Sequence, residues 1–208
     1  MNKNKKVIFI TGTPGVGKTT VANYLNKELK KKYNSKIFQI NEIAIENDLI
    51  QGIDSKKKYK IVDIDKLNKK LFEIINEDNT KDLNYNIEKN EESVSDDLEI
   101  LEIAIFEGHL SHLCDYCDKV VVLRLNPKSL EKRLKKRDYS ESKIQENLEA
   151  ESLAVCTVEA FENHGDIVNE IDTTGMSIDE VVVNIKKIIF NEKDFPVGNI
   201  DFMDWLIK

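Results

Sequence analysis

The chain has 208 residues, 40% of them hydrophobic and 33% charged, with a formal net charge of -7 at pH 7. That length suits one globular domain with insertions, spanning 1–208, better than two domains, and the acidic balance argues against a broad nucleic-acid surface because duplex binding needs a basic face. No apolar run is long enough to span a bilayer, and Lys3, Lys5 and Lys6 lead into a strand without a cleavable apolar region, so a cytoplasmic protein with no membrane partner and, from its three cysteines, reduced thiols is expected.

Val7-Ile8-Phe9-Ile10 reads as a short buried strand, and Gly12-Thr13-Pro14-Gly15-Val16-Gly17-Lys18-Thr19 follows it. The octet fits G-x-x-x-x-G-K-[ST], the phosphate-cradling P-loop, and stands where that loop must stand, between a strand and a helix. Its glycines let backbone N–H groups turn inward around phosphates while the next helix points its positive end at the same anion. Lys18 adds a mobile charge near the β- and γ-phosphates, and the Thr19 hydroxyl is a candidate ligand of the accompanying Mg²⁺. An ordinary Gly-rich turn is the bland alternative; the order strand, loop, helix speaks against it.

Val21, Ala22, Leu25 and Leu29 recur at helical spacing and predict a helix from Lys18 to about Lys32. Lys36 to Ile40 reads as the second strand, and Asn41 as the N-cap of a short helix through Leu49. The stretch 53–60, with Lys56, Lys57, Lys58 and Lys60, reads as a solvated loop or a phosphate-facing patch. Asp65 opens a helix whose apolar face is Leu67, Leu71, Ile74 and Ile75. Residues 77–99 are rich in carboxylates and asparagines and read as a mobile acidic insertion, or else as a segment that pairs with a basic partner.

Ile100 to Phe106 and Lys119 to Leu125 are the third and fourth strands, and the run Val120-Val121-Val122-Leu123 suits a parallel strand buried on both faces. Asn126-Pro127 opens a helix carrying Leu130 and Leu134. Ser140 caps a long helix with Ile144, Leu148, Val155 and Phe161 on its inner side, ended by His164-Gly165. Residues 166–172 form a last strand, Ser177-Ile178-Asp179-Glu180 is a capping box, and Val181, Ile185, Ile188 and Ile189 line the final helix. Phe195, Pro196, Phe202 and Trp205 pack the tail onto the body. The alternation of strand and helix implies an α/β fold of three layers, α/β/α, around a five-stranded parallel sheet, with ligands beyond the carboxyl ends of its strands.

Phosphoryl transfer needs positioned phosphates, a metal and neutralisation of developing charge. Glu107, just after the third strand, is placed to hold Mg²⁺ opposite Thr19, and His109 to orient an acceptor or a water; the alternative is a turn-capping Glu107 and a satisfied His109. Arg133 and Arg137 enter the corner at Asp138-Tyr139, where they would swing over a nucleotide, Arg137 the better placed. The segment from Asn41 to Asp65 is where an acceptor would sit. His109, His112, Cys114 and Cys117 are zinc-ligand types at short spacing, but with one Cys-x2-Cys pair and no second knuckle, free thiols are the default.

With these residues assembled, the chain resembles the adenylate kinase isoenzyme 6 family, small nucleotide kinases implicated also in ribosome assembly. The resemblance rests on Thr11 to Thr20, on Ile61-Val62-Asp63-Ile64-Asp65, on Glu107-Gly108-His109, and on Val122-Leu123-Arg124 followed by Arg133-Leu134 and Arg137-Asp138-Tyr139-Ser140. It covers nearly all of 6–190 apart from the acidic insertion. It implies a nucleoside monophosphate kinase with broad acceptor range that moves the ATP γ-phosphate to AMP or another monophosphate with Mg²⁺, hydrolyses ATP when water replaces the acceptor, and serves small-subunit rRNA maturation. An ATP-driven assembly switch that binds a small-subunit ribosomal protein or pre-ribosomal particle is the alternative.

Carried over by position, Gly12, Pro14, Gly15, Val16, Gly17, Lys18, Thr19, Thr20 and Arg137 contact ATP, and Lys18, Glu107, His109 and Arg137 are catalytic. Thr19 and Glu107 hold the metal, and Asn41 and Glu42 lie in the acceptor region of 35–58. Residues 136–146 correspond to a short lid. Glu107 stands where many members have Asp, and Ile45 where the family's acceptor-phosphate arginine is expected. The lysines at 56–60 would replace it only as point charges.

Overall fold

The computed structural model describes residues 4–53, 60–81, 101–137 and 139–207. Strand β1 (Lys5–Thr11) runs into helix α1 (Lys18–Leu29), then β2 (Asn34–Gln39) and α2 (Ile40–Glu46). A small hairpin, β3 (Ile50–Ile53) and β4 (Lys60–Val62), precedes α3 (Ile64–Lys81). After β5 (Glu102–Glu107) and β6 (Lys119–Arg124) come α4 (Pro127–Lys135), α5 (Glu141–Ser152), α6 (Val155–His164), β7 (Val168–Asp172) and α7 (Ile178–Ile189).

Five strands pair in parallel in the order β2-β5-β1-β6-β7. Because side chains alternate along a strand, each central strand serves both faces. Ile8 and Ile10 of β1, with Val121 and Leu123 of β6, point to one side and meet Leu25, Ile144, Leu148 and Ile185. Val7, Phe9, Val120 and Val122 point to the other and meet Ile40, Leu67, Leu71 and Ala160. The unbroken apolar runs of β1 and β6 are thus two half-cores written into one segment, which yields the expected three-layer α/β/α architecture.

Helix starts follow their local chemistry. Asn126 accepts from the Lys128 N–H with Pro127 in the first turn, Ser140 accepts from the Lys143 N–H, and Ser177 and Glu180 form a complete capping box. Each such cap is worth about 1 kcal/mol. Strand ends fall within two residues of the expected ones.

Three expectations change. Asn41 is not an N-cap: α2 starts two residues earlier than that cap implies, with Gln39 in the cap position and Asn41 in the first turn, because Ile40 is drawn into the core at 0% exposure. Part of the expected loop at 53–60 is hairpin, Ile50 facing Val62 and Ile53 facing Lys60, in strands too short to announce themselves by alternation. Lys56, Lys57 and Lys58 lie outside the described residues. The long helix after Ser140 is two helices, broken at Ala154 with φ of 55°. The break lets α5 pack Ile144 and Leu148 on one face of the sheet while α6 packs Ala160 on the other, which no straight helix does. Phe161, expected inside, is 45% exposed.

The segment 77–99 begins as the last turns of α3, and its remainder, beyond Lys81, lies outside the described residues. The tail packs as expected: Phe195 and Trp205 cover the first core, and the Phe195 carbonyl accepts from the Glu170 N–H at 2.8 Å, dressing the edge of the sheet. Among the described residues no helix is long and apolar enough to cross a membrane.

Candidate active site

The carboxyl ends of β1, β5 and β6 converge on the Gly12–Thr19 loop. Gly12 and Gly15 have φ of 134° and 99°, in the region that disfavours side chains. A Cβ on Gly12 would lie 2.4 Å from the Leu123 carbonyl oxygen, and one on Gly15 2.8 and 2.9 Å from the Leu134 and Leu130 side chains. The loop therefore lies close against the backbone of β6 at Gly12 and against the leucine side chains of α4 at Gly15. At its end Gly17 precedes α1 without a side-chain cap, so the first N–H groups of α1 face the loop unclaimed by a cap.

Lys18 is buried, and its ammonium donates to the carbonyls of Gly12 at 2.7 Å and Thr13 at 3.1 Å. Burial pulls its pKa down to about 8; Cys156, Glu107 and Glu151 nearby act in the opposite sense, and the Arg137 charge in the same sense. Thr19 donates its hydroxyl to Glu107 Oε1 at 2.9 Å. Glu107 is itself 5% exposed, at the end of β5, and Gly108 donates to the Ile10 carbonyl, locking the turn to β1. A buried carboxylate paired with a hydroxyl at the mouth of a phosphate loop is an all-oxygen donor set of the kind Mg²⁺ selects. His109 is half-buried, and burial, followed by the charges of Lys18, His112 and Lys143, pushes its pKa down to about 4. It is a neutral imidazole at pH 7.

Pro14, Val16 and Thr20 occupy the loop and the first turn of α1 as expected from the motif. Arg137 is exposed at the corner after α4, one residue before the start of the α5 approach, with its charge felt at Lys18. Arg133, expected to swing with it, instead donates from Nη1 to the Val16 carbonyl at 2.7 Å and so clamps the loop. Asn41 and Glu42 are both exposed on α2, Glu42 accepting from the Gln39 amide. Ile45 is 51% exposed on the same helix.

A buried ionic cluster beneath the loop was not foreseen. Arg124, at the end of β6, donates from Nε to Glu151 Oε1 at 2.8 Å, from Nη2 to the Glu151 carbonyl at 2.6 Å, and from Nη1 to Glu170. Thr157 donates to Glu170 at 2.8 Å, the Gly198 N–H donates to its other oxygen at 3.2 Å, and the Phe202 ring lies 5.2 Å from the guanidinium. The remaining oxygen of Glu151 takes the hydroxyl of Thr13, in the phosphate loop. One sequence signal was available: Glu151 shares the apolar face of α5 with Ile144 and Leu148, where a carboxylate has no reason to be unless it is paired.

The zinc-type residues do not gather. His112 is held between the Thr11 hydroxyl at 2.6 Å and Glu159 at 3.0 Å, and Cys117 meets His164 at 3.7 Å. Burial pushes the Cys114 thiol up to about 12 and Cys117 higher still. Among the described residues no three His, Cys, Asp or Glu side chains are grouped to hold a metal, and the three cysteines are free.

Comparison with known proteins fits this geometry. The family model described as an AAA domain matches residues 8–154. A protein of Methanothermobacter thermautotrophicus named "Putative adenylate kinase" is 39% identical over 97% of this chain and 99% of its own. Proteins with the same name from Methanosarcina acetivorans, 36% identical over 95% of this chain and 98% of its own, and Pyrococcus furiosus, 36% identical over 94% and 91%, also match. Among solved structures, an uncharacterised protein from Eubacterium ventriosum superposes with a TM-score of 0.50 at 14% identity, covering 89% of this chain and 98% of that one, and shares the fold. The phosphate loop, its buried lysine and the five-stranded parallel sheet thus belong to a member of the AAA domain family, similar over nearly its whole length to proteins named putative adenylate kinase.

Proposed function

We propose that the chain is a nucleoside monophosphate kinase of the adenylate kinase type, moving the γ-phosphate of ATP to AMP or another monophosphate. The observation that carries it is the Thr19–Glu107 pair beside buried Lys18, in a chain aligned over nearly its whole length with relatives bearing that name. Backbone N–H groups of Gly12–Thr20 and the first turn of α1 cradle the phosphates. Lys18, released from the Gly12 and Thr13 carbonyls, neutralises charge on the migrating phosphoryl group. Thr19 and Glu107 would hold Mg²⁺, which when bound offsets phosphate charge.

Arg137, from the lid at 136–146, supplies a second cation from the solvent side. An oxygen of the acceptor phosphate attacks the γ-phosphorus, the bond to the β,γ-bridging oxygen breaks, and two diphosphates leave. Neutral His109 orients the attacking group by hydrogen bonding rather than by taking its proton, since a base with a pKa of about 4 is weak. The acceptor lies over 35–58, beside Asn41 and Glu42, within one catalytic domain over 1–208.

A coupled assay with ATP, Mg²⁺ and each monophosphate tests the reading; ADP formation that exceeds acceptor-free hydrolysis supports it, and equality with hydrolysis contradicts it. One observation favours a second reading. Ile45 stands exposed where the resemblance calls for an arginine, which weakens the grip on an acceptor phosphate and favours water as the acceptor. In that version ATP hydrolysis drives an assembly switch on a small-subunit ribosomal partner in the cytoplasm. Co-purification at moderate salt tests it, and recovery of no ribosomal component contradicts it.

A further inference from the structure

We propose that Glu151 is a positioning residue of the phosphate loop, acting through the Thr13 hydroxyl to hold the loop in its anion-binding shape. The inference deepens the nucleotide-binding part of the function proposed above and rests on it.

The geometry is specific. Thr13 is 2% exposed and held at both ends, its hydroxyl on Glu151 and its carbonyl on the Lys18 ammonium and the Val16 N–H. The other Glu151 oxygen takes two further donors, Arg124 Nε at 2.8 Å and the Leu125 N–H at 2.9 Å, so the carboxylate cannot rotate without breaking all three contacts. On the far side of the loop Arg133 holds the Val16 carbonyl. A loop with three glycines at positive φ is costly to order, and a loop already pinned at Thr13 and Val16 meets that cost on folding rather than on nucleotide binding.

The charges of the cluster do not cancel. Arg124 faces two carboxylates, Glu151 and Glu170, each 4% exposed or less, which leaves one net negative charge under the loop. Substituting Glu151 by an uncharged side chain removes the charged acceptor that the Thr13 hydroxyl, Arg124 Nε and the Leu125 N–H share.

The test is binding of trinitrophenyl-ATP with Mg²⁺ to the full chain at one fixed pH near neutrality. Thr13→Val, which keeps size and removes the hydroxyl, is expected to weaken binding about tenfold, the loss typical of a charge-assisted hydrogen bond, and Thr13→Ser to restore it to within about twofold. Glu151→Gln, which keeps shape and removes charge, is expected to weaken binding similarly. Thr13→Val placed on Glu151→Gln should add less than about twofold, because both variants break one contact. If Glu151→Gln does not fold, the Thr13 pair alone decides, because it leaves every buried charge in place. Wild-type affinity in Thr13→Val, or losses that multiply in the double variant, would overturn the inference while the nucleotide reading stands. A wild-type chain that binds no trinitrophenyl-ATP would overturn both.

Discussion

Lys18 shows what the site costs and why. An ammonium withdrawn from water binds its proton less tightly, and the pKa falls from 10.5 to about 8 with burial as the main cause. The folded state then holds fewer protons than the unfolded state between about pH 8 and 10.5, so this group makes stability rise with pH through that window. Below pH 8 the full penalty is present, of order 3 kcal/mol at about 1.4 kcal/mol per pH unit. Lys18→Met is therefore expected to melt higher than wild type at pH 7, by several degrees, with the difference shrinking towards pH 10 as wild type recovers. Calorimetric melting of both proteins at the two pH values checks this, and a difference that grows with pH would contradict it.

At the same scale the sequence was legible where local order carries the chemistry. Lys18, Thr19 and Glu107 are found because a loop must follow a strand and a carboxylate must end the neighbouring one. Arg124, Glu151 and Glu170 were not, since they are brought together only by the crossing of β6, α5 and β7. Arg133 reads in the sequence as a partner of Arg137 over the nucleotide, and nothing local reveals that the Val16 carbonyl lies within its reach.

Elements are positioned by close approach. Gly12 lies against the backbone of β6, Gly15 against side chains of α4, and the two respond differently to a methyl group. A Cβ on Gly12 meets a carbonyl that cannot give way without disturbing the sheet, whereas one on Gly15 meets leucine termini that can shift. Gly12→Ala is expected to lower the melting temperature more than Gly15→Ala, and both to weaken nucleotide binding, since each also forces a strained φ worth about 1–3 kcal/mol. Thermal melts by circular dichroism rank them, and a reversed order would contradict the packing argument. The break at Ala154 belongs to this scale too. Apolar spacing ran through it without interruption, because α5 and α6 each present an apolar face; only the demand that those faces meet opposite sides of the sheet separates them.

For the whole molecule, the sheet and its three layers follow from alternation of strand and helix, which is why they were legible, whereas the role of the tail required the folded chain. Phe195 pairs with the edge of β7, Gly198 donates to Glu170, and Phe202 covers Arg124, so the last described residues complete the buried cluster under the loop. Truncation after Lys193 opens that cluster to water and removes the apolar cover of Phe195 and Trp205. The melting temperature is expected to fall by roughly 5 to 15 °C, given about 2–4 °C per kcal/mol for a chain of this size, and affinity for ATP to fall with it. A truncated chain that melts and binds as wild type would show that the tail is only a surface covering.

The central claim is that the γ-phosphate passes to a nucleotide and not to water. ATP carrying label in the γ-phosphate, incubated with Mg²⁺, AMP and the full chain, answers it by where the label goes. Label is expected in the β-position of ADP, dependent on AMP and lost in Lys18→Ala although that variant keeps its fold. Label recovered only as inorganic phosphate, with or without AMP, would contradict it.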